Sequence, residues 1–417
     1  MKAVICGAGI AGLALAHRLG TTGWQVVVLE RAPGPRTQGY MIDFFGPGYD
    51  AAEQMGLLPR LTELGYPIEE ASYLDESGRR RAGLSFRNFS RAMGGRLVSI
   101  MRPDLERALR EQVPTTVDVR YGRGIASIDN AEHGVRVTAS DGSQLDADLL
   151  VGADGIHSTV RRLVFGPEDD YLRHLGFHTA AFVIDAPDLR REIGDRFCLT
   201  DTVGRQVGCY GLRDGRVALF TVHRSTDRTL PDDARAAVRE EYGSLGWIVP
   251  AALAACPEPR EIYYDQVAQV ELPDWNRHRV TLLGDSCQAV SLLAGQGASL
   301  AVAGAFVLAD QLARATTVDE ALAGYQELWR PVVIEKQQAA RRGVEWFLPS
   351  SPTRLALRRT ALRLMNLPGL DRVFGTALIG KSNATIRQLA GSSASPAGAP
   401  AAEPAAAPRV PAGPPEG

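Results

Sequence analysis

The residues whose spacing most clearly indicates chemistry are three glycines near the start of the chain, Gly7, Gly9 and Gly12. They follow an apolar strand and open a segment of helical periodicity, with Ala11 in its first turn. Gly7 allows a tight turn, Gly9 lets the backbone approach a pyrophosphate, and Gly12 permits close helix–sheet packing. The helix N-terminus adds free N–H groups for the same anion. This spacing predicts dinucleotide binding, and a glycine-rich turn without a ligand is the alternative.

The strand that follows the glycines ends in a carboxylate. Gln25 to Leu29 is apolar after its first residue, and Glu30 stands directly behind it. A carboxylate at this point can accept hydrogen bonds from both ribose hydroxyls, and its charge would repel a 2′-phosphate. The ligand is therefore predicted to be FAD or NAD rather than NADP.

A second group with ligand-binding spacing lies far downstream. An apolar strand runs into Gly284 and Asp285, and a glycine-rich helix start follows, with Gly295, Gly297, Ala298 and Ser299. A carboxylate at the carboxyl end of a parallel strand lies where open sheets bind ligands, and a helix start supplies N–H donors. One long ligand with two ends explains both groups, which favours FAD, with Asp285 on the ribityl chain and the helix start facing the flavin ring. An ordinary strand-to-loop turn at Asp285 is the alternative.

The elements that must position these residues change in character along the chain. Buried apolar strands flanking a helix at 3–29 indicate a parallel sheet covered on both faces. From about 171 to 270, segments such as 206–212 and 216–223 alternate and are separated by Arg213-Asp214-Gly215, which predicts a hairpin in an antiparallel sheet. Long helical stretches follow at 294–313, 319–347 and 354–365.

These patterns predict an α/β fold: a Rossmann-like FAD-binding domain with an antiparallel-sheet substrate domain and C-terminal helices. The FAD-binding domain is expected to be discontinuous, formed by residues 1–170 with 271–315, and the substrate-binding sheet by 66–96 and 171–270. Helices are expected in 316–391. Residues 392–417 are almost only Ala, Pro, Gly, Ser and Glu, which cannot bury enough surface to order themselves, so a disordered tail is predicted.

Composition narrows the class of protein. The chain has 417 residues, 45% hydrophobic and 23% charged, and Lys+Arg 46 against Asp+Glu 48 leaves a net charge of -2. The basic surplus typical of nucleic-acid binding is missing. The 5 cysteines form no CxxC pair, which indicates neither a disulfide framework nor a metal site and suits a cytoplasmic protein. The uncharged run 291–309 consists mainly of Ala, Gly and Ser, so we expect a buried helix rather than membrane insertion.

A third motif lies between the two ligand-binding groups, at residues 152–161. It reads Gly152-Ala153-Asp154-Gly155-Ile156-His157-Ser158-Thr159-Val160-Arg161. With the other two groups, in this order over roughly residues 1–345, the chain resembles the class A flavoprotein monooxygenases, the aromatic-hydroxylase-like family that includes the tetracycline-modifying enzymes.

The resemblance implies roles for particular residues. The segment from Asp154 would serve both FAD and a transient NAD(P)H, and Arg102, which opens a helix, would touch the flavin cofactor. The stretch from the adenosine ribose towards the ring would be formed by Glu30, Arg31, Arg36, Gly39 and Asp43. From the residues alone, Asp154 could instead cap the following helix, and Arg102 could pair with Glu106 one turn on.

The sequence also departs from the family pattern. Gln288 stands where the family commonly has a His, and Ser291-Leu292 replace paired prolines. Ser299 replaces a frequent Asn. These changes concern the region over the flavin and the approach of the substrate.

The activity that the resemblance implies is an NADPH- or NADH-consuming, FAD-dependent monooxygenation. A flavin C4a-hydroperoxide would insert one oxygen atom of O2 into an aromatic or polyketide-like secondary metabolite, by hydroxylation or Baeyer–Villiger-type insertion, as in antibiotic biosynthesis. Because the cofactor carries this chemistry, we assign no catalytic residue. His223 is a candidate base on its ordinary pKa of about 6.5, against a surface or edge-strand histidine. The candidate substrate pocket comprises Phe45, Tyr210, Phe220, His223 and Leu292.

Two other functions were weighed. Residues 246–250 resemble part of a halogenase tryptophan motif, but the second Trp and a lysine near the flavin are missing, so a flavin-dependent halogenase is rejected. An FAD-binding protein without redox turnover, acting as a binder or assembly partner, stays open. The basic helix at 354–363 could serve a partner or a membrane surface, although packing along the sheet domain is the more frequent arrangement. The sequence fits a monomer or a homodimer.

Overall fold

A computed structural model describes residues 1–36, 38–291, 295–365, 386 and 388. The strands of the described residues are, in chain order, β1 Lys2–Cys6, β2 Gln25–Glu30, β3 Met41–Phe45, β4 Glu70–Leu74, β5 Arg80–Ser85, β6 Leu97–Met101, β7 Asp118–Tyr121, β8 Ile125–Ala131, β9 Gly134–Ala139, β10 Gln144–Ala147, β11 Leu149–Gly152, β12 Leu172–Ile184, β13 Arg196–Thr200, β14 Arg205–Gly211, β15 Val217–Arg224, β16 Tyr263–Val270, β17 Asn276–Arg277 and β18 Val280–Leu282.

Helices alternate with these strands in the first half of the chain and dominate its end. They are α1 Ile10–Thr21, α2 Pro47–Gln54, α3 Leu58–Leu64, α4 Phe86–Ala92, α5 Arg102–Gln112, α6 Thr159–Val164, α7 Pro187–Ile193, α8 Ala234–Tyr242, α9 Val249–Ala254, α10 Asp285–Gln288, α11 Gly297–Arg314, α12 Val318–Phe347 and α13 Pro352–Met365. Short 3-10 turns occur at Glu168–Asp170 and Pro259–Glu261.

The first sheet has the strand order β17-β18-β11-β1-β2-β7. β18, β11, β1, β2 and β7 run parallel, and β17 adds an antiparallel edge. The central strands β1 and β11 are apolar and buried because helices cover the sheet, with α1 packed against α11. The predicted parallel sheet is therefore confirmed, and its strands come from residues 2–30, 118–152 and 276–282.

The second sheet has seven strands in the order β16-β12-β15-β14-β13-β4-β5. All its pairs are antiparallel except β13 with β4. The predicted hairpin is present as β14 and β15, with Gly215 at a φ of 88° in the turn. One face of this sheet packs on α7, α8 and α9. The predicted fold class, a Rossmann-like domain with an antiparallel sheet and C-terminal helices, is confirmed.

The pair β3–β6 lies between the two sheets. Ile42 belongs to the core of the first sheet, whereas Met41 and Met101 pack with Tyr210 and Ala218 of the second. The two faces of β3 therefore contact different sheets, because successive side chains of a strand point to opposite sides. A small sheet, β10-β9-β8, completes the described strands.

The C-terminal helices cover both sheets. α12 packs against α11, and α13 packs on β5. Buried Arg358 and its neighbour Arg359 of α13 both donate to Asp201, at the end of β13. For the basic helix at 354–363, the sequence left two alternatives open, binding to a partner or membrane surface and packing along the sheet domain. In the structure, this helix packs on the sheet domain. The predicted tail, 392–417, falls outside the described residues, as does 366–391 apart from 386 and 388.

The uncharged run near residue 300 forms α11, in which Ser299 through Asp310 are buried within the protein. Among the described residues, every helix is too short or too polar to cross a bilayer.

Candidate cofactor and active site

The glycine turn after β1 has the geometry that dinucleotide binding requires. Gly7 adopts a φ of 107°, and a Cβ there would collide with the carbonyl of Ala153. A Cβ on Gly12 would collide with the carbonyl oxygen of Gly7. α1 starts behind Gly9 without a side-chain cap, so its first N–H groups have no intrahelical partner. The turn can therefore offer N–H donors to an anion.

Glu30 holds this turn in shape. One carboxylate oxygen accepts from the Ala8 N–H and the other from the Ala32 N–H, both at 2.8 Å. Because each carboxylate oxygen can accept further hydrogen bonds, the ribose-binding role predicted for Glu30 is compatible with these contacts. Arg31 and Arg36 line the same cleft.

Asp154 stabilises the start of α6. One of its oxygens accepts from the N–H groups of Thr159 and Val160, at 2.7 and 3.1 Å, and the other accepts from the Ser158 hydroxyl. This is the capping arrangement that sequence analysis kept as the alternative. Asp154 also lines the cleft, and burial raises the pKa of its carboxyl.

Arg161 connects three segments behind the cleft wall. Its side chain is 0% exposed. The guanidinium donates to the carbonyl of Ser286 at 2.9 Å, to the carbonyl of Ile156 at 2.7 Å and to Glu168 at 3.0 Å. The loop after β11 is thereby tied to the Gly284–Asp285 loop. Burial lowers the pKa of Arg161.

Arg102, Asp285 and Tyr40 meet in another part of the cleft. Arg102 pairs with Glu106 at 2.9 Å, as its alternative reading predicts, and also lines the cleft. Burial raises the pKa of Asp285, and the charge of Arg102 partly opposes this shift. Burial likewise raises the pKa of Tyr40 to about 12.

The start of α11 gives the second set of N–H donors. Gln296 precedes it without a side-chain cap, and Gly297 and Ala298 line the cleft. Ser299 acts differently. Its hydroxyl donates to the Phe45 carbonyl and accepts from the Gly48 N–H at 3.0 Å, so it joins α2 to α11.

These elements line one cleft that is partly open to solvent. Its helix starts, with their free N–H groups, and the side chains of Arg31, Arg36 and Arg102 suit an anionic dinucleotide. Most of the predicted cofactor residues line it: Gly7, Gly9, Ala11, Glu30, Arg31, Arg36, Arg102, Asp154, Asp285, Gly295, Gly297 and Ala298. Sequence reasoning did not single out as site residues several others that line it: Tyr40, Ile42, His157, Thr179, Tyr263 and Gln266.

Four predicted cofactor residues lie outside this lining, namely Gly12, Gly39, Asp43 and Ser299. Asp43 points away from Ile42, to the face of β3 that meets the second sheet. Its carboxylate accepts from the Ser99 hydroxyl at 2.5 Å, and burial raises its pKa to about 6. Tyr210 stands near it, stacked on Phe197 with ring centroids 4.0 Å apart.

The described candidate substrate residues do not form one surface: Phe45 lies on β3, whereas Tyr210, Phe220 and His223 lie on the second sheet. Phe45 packs edge-on against Phe89, and Phe220 lies 6.3 Å from the ring of Tyr40, near the cleft. Leu292 falls outside the described residues.

His223 differs from both descriptions that the sequence suggested. It lies on the interior strand β15, on the face turned away from the cleft, and is buried. Its Nδ1 is 2.9 Å from the hydroxyl of Tyr242 on α8, and burial lowers its pKa to about 4. As a correction, His223 is neither a base at the cleft nor a surface or edge histidine, because the sheet separates it from the cleft.

Gln288, which stands where the family commonly has a His, does not face the cleft. Gln288 is buried, and its amide donates to the hydroxyl of Tyr325 on α12 at 2.5 Å. Ser291 does line the cleft, with a φ of 99° that non-glycine residues rarely adopt.

The parallel sheet, the two uncapped helix starts and the glycine turn define a dinucleotide-binding protein of the Rossmann-like class. Residues 1–340 match a family model described as FAD binding domain, and the chain belongs to this family. A flavin-dependent monooxygenase of an unknown prokaryotic organism is 31% identical over 359 residues, covering 84% of this chain and 91% of that protein. The FAD-dependent monooxygenase asL6 of Sarocladium schorii is 28% identical over 381 residues, covering 83% and 88%.

Among solved structures, that of tetracycline destructase Tet(55) is similar, with a TM-score of 0.77, 28% identity and coverage of 92% of this chain and 98% of that one. The resemblance drawn from the sequence is confirmed, and the protein is an enzyme of the flavin-dependent monooxygenase class. FAD is its cofactor, and the glycine turn and the uncapped helix starts fit that group.

Proposed function

We propose that this protein is an NAD(P)H-consuming monooxygenase that inserts one oxygen atom from O2 into an aromatic or polyketide-like secondary metabolite, by hydroxylation or Baeyer–Villiger-type insertion. The observation that carries the proposal is the position of the cleft. Its floor is formed by the dinucleotide elements and its roof by Thr179, Tyr263 and Gln266 of the second sheet. A cofactor held by the first sheet would therefore be covered by the second.

The residues that would hold FAD follow from their chemistry. The pyrophosphate suits the N–H groups at the start of α1, and the ribose suits Glu30. Asp285 and the start of α11 would hold the ribityl and ring end. When bound, FAD supplies the electron transfer and oxygen activation, and the chain supplies binding, orientation and the exclusion of water.

A flat substrate suits the side of the cleft formed by the second sheet, where the ring of Phe220 lies 6.3 Å from that of Tyr40, which lines the cleft. Planar rings interact favourably with such aromatic side chains. Between β3 and the second sheet, Met41, Met101, Tyr210 and Ala218 form a buried apolar cluster against which Phe197 packs. Asp43 adds a carboxyl whose pKa of about 6 allows it to exchange a proton near neutral pH. The name of the similar tetracycline destructase supports a polyketide-like compound. We place the reaction in the cytoplasm, where NAD(P)H is available.

The proposal is tested by one absorbance experiment on the purified protein. The visible spectrum is recorded, and NADPH and NADH oxidation is then followed in air with and without a panel of phenolic polyketides. Oxidation that accelerates with one compound, and a product heavier by one oxygen atom, would support the proposal. A yellow protein that oxidises neither donor with any compound would instead favour a redox-silent FAD-binding protein.

A matched pair of glycine variants separates cofactor binding from general damage. Gly12→Ala should abolish the yellow colour, because the new Cβ collides with the Gly7 carbonyl beneath the pyrophosphate site. Gly34→Ala should retain it, since its Cβ would meet no atom within 4 Å. Full FAD loading of Gly12→Ala would contradict the assigned site.

A further inference from the structure

A chain of four polar side chains runs from the roof of the cleft to the protein surface. The Tyr263 hydroxyl donates to one oxygen of Asp265 at 3.2 Å. His157 Nε2 is 3.2 Å from the other oxygen of Asp265, and His157 Nδ1 is 2.9 Å from Glu168. Each neighbour in this series is within hydrogen-bonding distance of the next.

The burial of these residues gives the chain a direction. Tyr263 and His157 both line the cleft, but the side chain of His157 is 43% exposed and that of Glu168 is 32% exposed. Asp265 between Tyr263 and His157 is only 5% exposed. Tyr263 is 36% exposed where it lines the cleft, whereas Glu168 does not line it. The chain therefore joins the cleft, at the Tyr263 hydroxyl, to the exposed Glu168 end through a buried carboxylate.

His157 carries a proton at neutral pH. The hydrogen bond to Asp265, and next that to Glu168, raise its pKa to about 9 against the effect of burial. Both ring N–H groups then donate to carboxylates, so the ring is not offered to a phosphate. Arg161 also contacts the Glu168 carboxylate, by donating to its second oxygen. Burial raises the pKa of Tyr263, which keeps its hydroxyl protonated.

We propose that His157, Asp265 and Tyr263 form a relay that carries a proton from solvent into the covered cleft during turnover. The inference rests on the proposed function. Substrate, NAD(P)H, O2 and one proton yield the oxygenated product, NAD(P)+ and water, so each turnover takes one proton from solvent. A cleft that excludes water while it binds its ligands needs a path for that proton.

The transfer balances without any redox change in the chain. The Tyr263 hydroxyl gives its proton to an acceptor in the cleft, and the phenolic oxygen receives one from Asp265. Asp265 in turn receives the Nε2 proton of His157, and the exposed imidazole recovers a proton from water. One proton has moved inward, and all three side chains are again in their starting forms.

Strand β16 offers a matched control. Tyr263 and Asp265 lie on one face of the strand, as residues two apart must. Tyr264 between them points to the opposite face, where its hydroxyl is 3.3 Å from His178. The variants Tyr263→Phe and Tyr264→Phe therefore remove the same atom from the two faces of one strand, and only the first interrupts the relay.

The first experiment compares these holoenzymes by stopped flow with a pH-indicator dye. Tyr263→Phe should slow turnover and proton uptake by about 10²-fold, a typical contribution of positioned proton transfer. FAD affinity and anaerobic reduction by NADH or NADPH should stay unchanged, and Tyr264→Phe should behave like the wild type. Turnover of Tyr263→Phe at the wild-type rate would overturn the relay.

A pH profile separates the relay from a merely structural bridge. Wild-type turnover should fall as the pH rises through about 9, where His157 loses its proton, and this limb should be absent in His157→Gln. The same limb in both proteins would overturn the relay.

A measurement without turnover uses the histidine NMR signals of the protein free of cofactor. The His157 midpoint should lie near 9 and should fall towards the ordinary value in Asp265→Asn. An unchanged midpoint would contradict the chain of contacts. If the wild-type holoenzyme oxygenates no substrate, the proposed function fails. If the wild type oxygenates and Tyr263→Phe matches it, the relay alone fails.

Discussion

Replacing Arg161 with alanine is expected to loosen the cofactor cleft from behind. The variant removes the guanidinium that joins the carbonyls of Ile156 and Ser286 to Glu168. The Ser286 carbonyl would then lack its donor in a buried position, and the Ile156 carbonyl would lack its donor in a partly buried one. The Gly284–Asp285 segment, which follows β18 at the cleft, would lose its hydrogen bond through Ser286 to the segment after β11.

The size of the effect follows from these contacts. An unsatisfied buried acceptor costs about 1–3 kcal/mol, and the partly buried Ile156 carbonyl costs less than the buried Ser286 carbonyl, so the loss of both contacts lowers the free energy of unfolding by roughly 3 kcal/mol. The loss of the Glu168 contact adds little, because that carboxylate is 32% exposed and can be solvated. For a domain of about 150–250 residues, a loss of this free energy corresponds to a fall in Tm of roughly 10 °C.

The assay is thermal unfolding of the FAD-free protein. FAD is then titrated at 20 °C, on the condition that this temperature is about 10 °C or more below the unfolding transition of every variant tested. Arg161→Lys should fall between the wild type and Arg161→Ala, since one ammonium cannot reproduce the planar fork that reaches three acceptors. Arg162→Ala, at the exposed neighbouring position, should change stability by no more than about 0.5 kcal/mol. A Tm within about 2 °C of the wild type for Arg161→Ala, with unchanged FAD affinity, would refute the reasoning.

Three further changes test other parts of the structure. The contribution of His223 to stability should be complete above pH 6.5 and fall by about 3 kcal/mol towards pH 4, because unfolded His223 takes up a proton before the folded form does. Asp43, whose pKa burial raises to about 6, opposes this slope in the same range, so the measurement is the difference in urea midpoint between the wild type and His223→Gln; a difference that does not change with pH would contradict the lowered pKa of His223. Gly48→Ala should lower FAD affinity measurably, because its Cβ would collide with Ser299 and displace α2 from α11. An unchanged affinity would show that this contact does not affect the cofactor site. Asp201→Asn should lower the Tm by leaving buried Arg358 without a charged partner, at a cost of about 3 kcal/mol, and a Tm equal to that of the wild type would show that the pair is dispensable.

Local signals predicted the parts of the site that depend on short stretches of chain. The spacing of Gly7, Gly9 and Gly12 and the pair Gly284–Asp285 indicated turns that the structure contains at those residues. The hairpin around Arg213-Asp214-Gly215 was also predicted from turn chemistry alone. In each of these cases, the physical cause lies within a few residues of the feature.

Features that depend on how the two sheets meet could not be predicted in this way. The sequence placed Phe220 and His223 in one candidate pocket, but the two side chains lie on opposite faces of β15. Which of the two faces meets the cleft is decided by the packing of α7, α8 and α9 on the other face, and strand alternation does not contain this information. The contact between His157 and Asp265 likewise could not be predicted from local pattern, because it spans 108 residues.

The strand order of the first sheet has a consequence for the synthesis of the protein. β18 pairs with β11, and the start of α11 follows β18, so the sheet and the cofactor site both need residues that emerge after residue 280. The second sheet, whose strands end at Val270, leaves the ribosome before the first can close. At about 5–20 residues per second, the glycine turn at Gly7 waits roughly 15–60 s for its partners. FAD therefore binds as one of the last events in the formation of this protein, after the sheet that covers it already exists.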